Sequence, residues 1–253
     1  MTKKPKHSSQ FAVGILSTID SPLLPFYISA ARSYGVTNIV VLCDSKLISQ
    51  KDKIIWNDRT GKTFTSGKNS NINIYVFARD RIPFYFVDDH NGKDCIELIL
   101  ALKLKCLLNA GTPRKISKQL IDIMENGVLN IHPGILPKYR GCSAVEWAIF
   151  NNDKVGNTAH FMDEGYDTGP IIESECYEFP SGADYQSIRV KVHQKGCDFA
   201  GRVLSLIQKK GIKPNDAMKQ LETDAKYWNP IPSDKMETVL NKINSSDYPY
   251  LHS

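Results

Sequence analysis

The sequence predicts an α/β fold: a Rossmann-like, mostly parallel twisted sheet with helices on both faces, followed by a small C-terminal extension. Two observations carry this expectation. Short apolar runs recur without polar alternation, as strands covered on both faces do. Segments of helical spacing separate them, so that each strand is returned to the sheet by a crossover helix. At 253 residues the chain is long enough for one domain of ordinary size with a modest addition.

The elements follow in order. FAVGILST, Phe11 to Thr18, opens the sheet. Ser21 followed by Pro22 is a helix start, an N-cap residue with proline at the first helical position, and Gly35 stops that helix. NIVVLC at 38–43 is the next strand. From Asn57 to Asn73 the chain is polar and glycine-bearing, which predicts a long loop or exposed hairpin. IYVFARD and IPFYFV then resume strand-like alternation. GKDCIELILALKLK at 92–105 is helical through Ile96, Ile99, Leu100 and Leu104, and CLLNAG is a strand ending in small residues. A helix from Pro113 to Asn126 carries Ile116, Leu120, Ile123 and Met124 on one side, and Gly127 ends it before the strand VLNIH. SAVEWAIFNND is a helix, NTAHFMD and PIIESECYEF are strands, and a long helix runs from Ala183 to Gly211. The expected partition is a flexible tail 1–10, a principal domain 11–211 and an extension 212–253.

Composition excludes several classes. With 42% hydrophobic and 23% charged residues the chain has enough apolar side chains to fold. Its longest apolar runs, such as IELILAL, stop well short of the roughly 20 residues of a membrane span. The net charge of +5 is dispersed, where nucleic acid would call for a concentrated basic face. MTKKPKHSSQ leads into a segment broken by Asp20, Pro22 and Pro25, a poor secretory signal, and the six cysteines show no CxxC spacing. These features predict a soluble, cytoplasmic protein with small-molecule partners, no nucleic acid and no membrane.

VLNIHPGILPKYRG, Val128 to Gly141, breaks the apolar pattern at the carboxyl end of a strand. Side chains alternate along a strand, so Asn130 and His132 share a side while Ile131 faces the core. The carboxyl end of a parallel strand is where ligands bind. MDEGYDTGPII, Met162 to Ile172, sets Asp163, Glu164 and Asp167 in a glycine-rich loop between two strands. Such a loop by itself is most often turn chemistry. A metal-dependent hydrolase using His132, His160, Asp163 and Asp167 has suitable ligand types but no HxxxH or HxH spacing.

Together, NIHPGILPKYRG and DEGYDTGPI resemble the signature of the formyltransferases that use 10-formyltetrahydrofolate, a family that includes the glycinamide ribonucleotide, methionyl-tRNA and amino-sugar enzymes. The resemblance runs from about Ile74 to about Ile207 and implies the formyltransferase fold. It assigns the catalytic Asn, His and Asp to Asn130, His132 and Asp167, with no metal. Asn130 and His132 would reach one developing oxyanion, and whether His132 or Asp167 moves the proton stays open. It implies a folate wall of Ile82, Pro83, Phe84, Tyr85, Pro113, Arg114 and Ile116, joined by Asp163 and Gly165. Gly134 in place of the family's usual serine implies a looser loop.

For the acceptor, Ser17, Thr18 and Ser21 offer hydroxyls and helix N-terminal amides to a phosphate, and Tyr139, Arg140, Gly141, Glu146 and Trp147 follow the active-site loop. YRGCSAVEWAI and YWNPIP are most similar to the branch that formylates amino sugars on nucleotide carriers, which points to a nucleotide-linked 4-amino-dideoxy sugar of surface polysaccharide. About 40 residues after Gly211 are too few for the tRNA branch's C-terminal domain, and the ribonucleotide enzyme is the alternative. The extension is expected either to pair with a second copy as a homodimer or to wrap its own domain.

Overall fold

A computed structural model describes residues 11–64 and 72–252. The 1–10 tail and residues 65–71 of the expected polar loop lie outside them. A seven-stranded sheet has the order β3-β2-β1-β4-β5-β7-β8. Its strands are β1 (Val13–Thr18), β2 (Ile39–Asp44), β3 (Phe84–Val87), β4 (Cys106–Asn109), β5 (Val128–His132), β7 (Val155–Phe161) and β8 (Ile171–Tyr177). The first five run parallel, and β7 pairs antiparallel with both β5 and β8. The short β6 (Arg140–Gly141) and β9 (Phe179–Pro180) lie outside this sheet. The expected mostly parallel α/β architecture is therefore the observed one.

Helices cover both faces. On one, α1 (Leu24–Ser33), α3 (Ile72–Asp80) and α7 (Tyr185–Lys210) enclose a core that includes Ile15, Ile28, Val41, Phe77, Phe199 and Leu204. On the other, α4 (Lys93–Ala101) and α5 (Lys118–Asp122) cover Leu16, Leu42, Ile99, Leu107 and Leu120. The chain winds outward from β1 in one direction to β2 and β3, then returns to β4 and β5 on the other side. The reversal lies between β1 and β4, so a crevice opens at their carboxyl ends.

Four local expectations change. Helix α1 starts at Leu24 rather than at Ser21–Pro22, with a proline in its first turn. Residues 57–60 are not loop but the end of α2 (Gln50–Thr60), capped by Ser49, whose Oγ accepts from Asp52 N–H, and closed by Gly61 at φ 56°. This helix has no apolar stripe and leaves Ile54 and Ile55 exposed, so periodicity could not mark it. IYVFARD belongs to helix α3, because the buried positions are Asn73 and Phe77, four apart, while Ile74 and Tyr75 face out. The helix expected from Pro113 shrinks to Lys118–Asp122. Residues 113–116 form a loop pinned by Asn91, which accepts from Ser117 N–H and donates to Lys115 O.

The extension folds back on its own domain. Its β10 (Tyr227–Trp228) pairs with β6, α8 (Ser233–Asn244) packs Val239 and Ile243 against α6 (Ala144–Phe150), and β11 (Leu251–His252) pairs with β9. Among the described residues no helix is long and apolar enough to cross a membrane.

Candidate active site

Asn130, on β5, is held by two neighbours. Its Oδ1 accepts from Asn109 Nδ2 at 2.9 Å. Asn109 in turn ends β4, and its own Oδ1 accepts the N–H groups of Gly111 and Thr112 at 3.2 and 3.0 Å. Backbone N–H groups can only donate, so they fix which end of the Asn109 amide is oxygen, and hence the orientation of Asn130. The Asn130 Nδ2 donates to His160 Nε2 at 3.0 Å. His160 Nδ1 lies 2.9 Å from the Phe161 carbonyl and so carries the ring proton. Burial pushes the His160 pKa down to about 4 against the opposing Asp167 charge, which keeps the ring neutral and Nε2 an acceptor. One N–H of Asn130 is then left for a ligand.

His132 is buried behind this pair. Its Nε2 lies 2.6 Å from the Tyr139 carbonyl and its Nδ1 lies 3.3 Å from Asp167 Oδ1. Both nitrogens face acceptors, so both contacts are satisfied together only when the ring carries two protons. Asp167 adopts φ 58°, and its Oδ2 accepts from Gly141 N–H at 2.9 Å. Burial acts to raise the Asp167 carboxyl, but the His132 ring and the Gly141 N–H outweigh it and hold the group below the usual carboxylate range. Gly141 must be glycine: φ is +90°, and a Cβ would stand 2.5 Å from Trp228 O. Gly134 tightens its loop rather than loosening it, since a Cβ there would meet Ala144 at 2.6 Å and His132 Nε2 at 2.9 Å.

Asn109 and Asn130 form a wall shared by two cavities. The smaller, about 310 Å³, is lined by Pro113, Arg114, Ile116, Asp163, Gly165 and Asp167 among others. Five of these are folate-side residues expected from sequence, and the sixth is Asp167, the aspartate expected to be catalytic. Arg114 nevertheless has its guanidinium committed, to Asp44 at 2.7 Å, Asp89 at 3.2 Å and the Asp88 carbonyl at 2.8 Å, so it anchors the loop. Asp163 likewise closes its own turn, accepting from Gly165 N–H and from the Thr168 hydroxyl. Ile82, Pro83, Phe84 and Tyr85 line neither cavity: Ile82 is core, and Phe84 and Tyr85 belong to edge strand β3. His132 lines neither cavity, so in this geometry Asn130, not the pair, presents the donor.

The larger cavity, about 730 Å³, lies between the loop after β1, α2 and α7. Of the acceptor-side residues expected from sequence, only Ser21 lines it. Ser17 and Ser21 direct their hydroxyls to the Ala110 carbonyl at 2.9 and 3.4 Å, and Ser17 and Thr18 are fully buried in β1, so this loop is not a phosphate cradle. Tyr139, Arg140, Glu146 and Trp147 are buried framework. Tyr139 donates its hydroxyl to Asp153, Arg140 bonds Gln220 and Glu222, and Trp147 Nε1 donates to the Asn229 carbonyl. Glu146 lies between Arg59 and Arg189, at 3.8 and 3.6 Å, and accepts from the Tyr185 hydroxyl. Gly141 contributes its N–H to Asp167.

Sequence reasoning missed Asn109, His160 as a partner of Asn130, and the wall of the larger cavity at Asp20, Lys53, Trp56, Asn57, Asn73 and His193. A signal existed for the first: CLLN carries an amide at the carboxyl end of its strand, as VLNIH carries Asn130 near its own. His160 meets Asn130 through the antiparallel register of β5 and β7, which no local pattern marks.

Residues 29–204 match the family model described as formyl transferase. In sequence the chain is similar to the methionyl-tRNA formyltransferase of Clostridium tetani (strain Massachusetts / E88), 27% identical over 158 residues that make up 62% of this chain and 50% of that protein. The chain spans about half the length of the curated relatives it matches. In structure it is similar to a sugar N-formyltransferase from Shewanella sp FDAARGOS_354, with a TM-score of 0.60, 16% identity and coverage of 91% of this chain and 87% of that one. It is also similar to glycinamide ribonucleotide transformylase 1 from Symbiobacterium toebii, with a TM-score of 0.56, 19% identity and coverage of 78% and 88%. At these identities the structural likeness establishes the fold.

Proposed function

The chain belongs to the formyl transferase family, and from that premise we propose that it transfers a formyl group from 10-formyltetrahydrofolate to the primary amine of an amino sugar, a nucleotide-linked 4-amino-dideoxy sugar, in the cytoplasm. The observation that carries the reading is the shared wall. Asn130 borders both cavities, with its amide orientation fixed and one N–H unoccupied. A formyl donor in the smaller cavity and an amine in the larger one meet there.

The donor suits its cavity by shape and chemistry: Ile116 and Met162 supply apolar surface, and the 163–167 turn supplies polar backbone. When bound, the folate supplies the formyl group and a leaving nitrogen. The chain's own residues then act on charge and protons. Asn130 N–H donates to the formyl oxygen as it gains negative charge, a preorganised donor of the kind whose removal costs about 10²–10³ in kcat. Asp167, held ionised at the rim of the same cavity, accepts a proton from the attacking amine directly or through water and returns it to the folate nitrogen as that nitrogen's bond to the formyl carbon breaks. His132, whose Nδ1 lies 3.3 Å from Asp167 Oδ1, orients that carboxylate. The metal-dependent alternative is disfavoured by the same hydrogen bonds, because His160 Nε2 already accepts from Asn130.

A panel of amines with 10-formyltetrahydrofolate as donor tests the proposal: nucleotide-linked 4-amino sugars, glycinamide ribonucleotide and methionyl-tRNA. Transfer to an amino sugar, unchanged by chelator, is expected. Transfer to glycinamide ribonucleotide alone would move the chain to the purine branch. Transfer to methionyl-tRNA alone would favour a second reading, which the sequence similarity to the Clostridium tetani protein supports.

A further inference from the structure

The loop from Thr112 to Ile116 lines one side of the smaller cavity, yet two of the groups that fix it lie outside both cavities. Asp44, at the end of β2, is 1% exposed, and His90, between β3 and α4, is fully buried. The chemistry proposed above uses neither.

The Asp44 carboxylate takes four donors. Its Oδ2 accepts from Arg114 Nε at 2.7 Å and from His90 N–H at 3.2 Å, and its Oδ1 accepts from Arg114 Nη2 at 3.1 Å and from Lys46 N–H at 2.8 Å. The two contacts with Arg114 form a bidentate fork, which fixes direction as well as distance. His90 holds the other side of Pro113. Its Nε2 lies 2.9 Å from the Leu42 carbonyl and so carries the ring proton, and burial keeps the ring neutral against the Asp44 carboxylate 3.6 Å from Nδ1. Nδ1 is then an acceptor, and the Thr112 hydroxyl donates to it at 2.7 Å. Thr112 and Arg114 are thus tied down on either side of a residue whose ring fixes φ, so the three form one rigid unit. A buried ion pair contributes little net stability beyond what packed apolar side chains would supply, so cohesion alone gives no reason for a charge at Asp44. What a carboxylate with four donors adds is direction, and the direction here is that of a cavity wall.

Resting on the donor reading above, we propose that Asp44 and His90 are positioning residues for the formyl donor, acting through Arg114 and Thr112 to set the 112–116 wall of the smaller cavity. Neither touches the donor. Loss of either link lets the wall drift and weakens the hold on the donor. The amine site and the Asn130 amide stay in place, because the Gly111 N–H still fixes Asn109.

The test cuts each link from the loop side and from beneath. Thr112→Val removes the hydroxyl and Thr112→Ser keeps it; Arg114→Lys keeps the charge without the fork; Asp44→Asn takes the charge from under Arg114. Thr112 and Arg114 are half-buried, so their variants decide the matter even if Asp44→Asn does not fold. Hydrogen exchange of segment 109–117 in the full chain, KM for 10-formyltetrahydrofolate, KM for the amino-sugar acceptor and kcat are measured for each. Arg114→Lys is expected to raise the donor KM about tenfold, the scale of one hydrogen bond to a charged group, and Thr112→Val about fivefold. Thr112→Ser should match the unmodified chain. Exchange at 109–117 should quicken in step, with acceptor KM and kcat kept within about twofold, as independent sites require. Asp44→Asn combined with Arg114→Lys should cost no more than Asp44→Asn alone, because both cut one fork. An equal rise in both KM values, or a lower melting temperature with donor KM and exchange unchanged, would reduce the cluster to fold stability and overturn the proposal. If the unmodified chain neither binds 10-formyltetrahydrofolate nor transfers from it, the donor reading fails by itself. The anchoring of the wall is then upheld by quickened exchange in the variants and overturned by unchanged exchange.

Discussion

The two cavities that meet at Asn130 are built by opposite means. The smaller is made from strand ends and the turns between them, with contiguous residues doing most of the lining: Thr112 to Ile116 on one side and Met162 to Asp167 on the other. The larger is made from helix faces and a loop far apart in the chain, from Ile19 through α2 to Gly196 on α7. On the proposed function, chemistry sits where local backbone geometry fixes it, and recognition sits where tertiary packing brings surfaces together. The first kind of site leaves a sequence motif. The second leaves almost none.

Removing a catalytic group should have the largest effect and should separate the two regions cleanly. Asp167→Asn and His132→Ala are each expected to lower formyl transfer by about 10³-fold or more, with the circular dichroism of the folded chain retained. Binding of the acceptor in the larger cavity, read by calorimetry, should stay within about threefold, roughly the error of ignoring neighbour effects. A matching loss of acceptor affinity would mean that the cavities are one functional unit.

A smaller effect is expected where the wall itself is disturbed. Asn109→Asp replaces the amide donor with a second acceptor facing Asn130 Oδ1 and so turns the Asn130 amide over. The expected result is a fall in kcat of about 100-fold, the scale of a misplaced reacting group, with KM for both substrates nearly unchanged. A rise in KM with kcat preserved would make Asn109 a binding residue instead.

This boundary also marks what could be read from sequence. Strand parity made Asn130 and His132 legible as a pair, whereas Asp167 was separated from Asp163 and Glu164 only by the resemblance of its motif, and the structure places its Oδ1 3.3 Å from His132 Nδ1. The doubly covered sheet was legible from short, mainly apolar runs such as β1 and β2, which are buried at every position. The acceptor side was not. Helix α2 is polar on nearly every face, α3 alternates enough to mimic a strand, and Trp147 and Glu146 carry the residue types of a binding site while serving the framework. Nothing local distinguishes Trp147, whose N–H donates to Asn229, from Trp56, whose N–H is unpaired.

Acidity should weaken the shared wall. The His160 pKa is pushed from 6.5 to about 4, so the unfolded chain takes up a proton near pH 6.5 that the folded chain refuses until about pH 4. Its contribution is therefore complete above pH 6.5 and declines between 6.5 and about 4, by about 3 kcal/mol at most. His193 and His90, both shifted downward chiefly by burial, add to the decline in the same direction. Denaturant midpoints measured across this range check the slope, and His160→Gln should flatten it. The smallest effect is expected at the periphery of the extension. Glu222→Ala removes a carboxylate whose side chain is 78% exposed, Arg140 keeps Gln220, and the melting temperature should move by no more than about 2 °C, with turnover unchanged.

The central claim is that a formyl group crosses a wall held by Asn130 under the control of His132 and Asp167. Its most direct test is turnover of 10-formyltetrahydrofolate with a nucleotide-linked 4-amino sugar, measured side by side for the unmodified chain and Asp167→Asn. The account predicts transfer in the first and its loss in a folded, acceptor-binding second. Near-equal turnover in the two would contradict it.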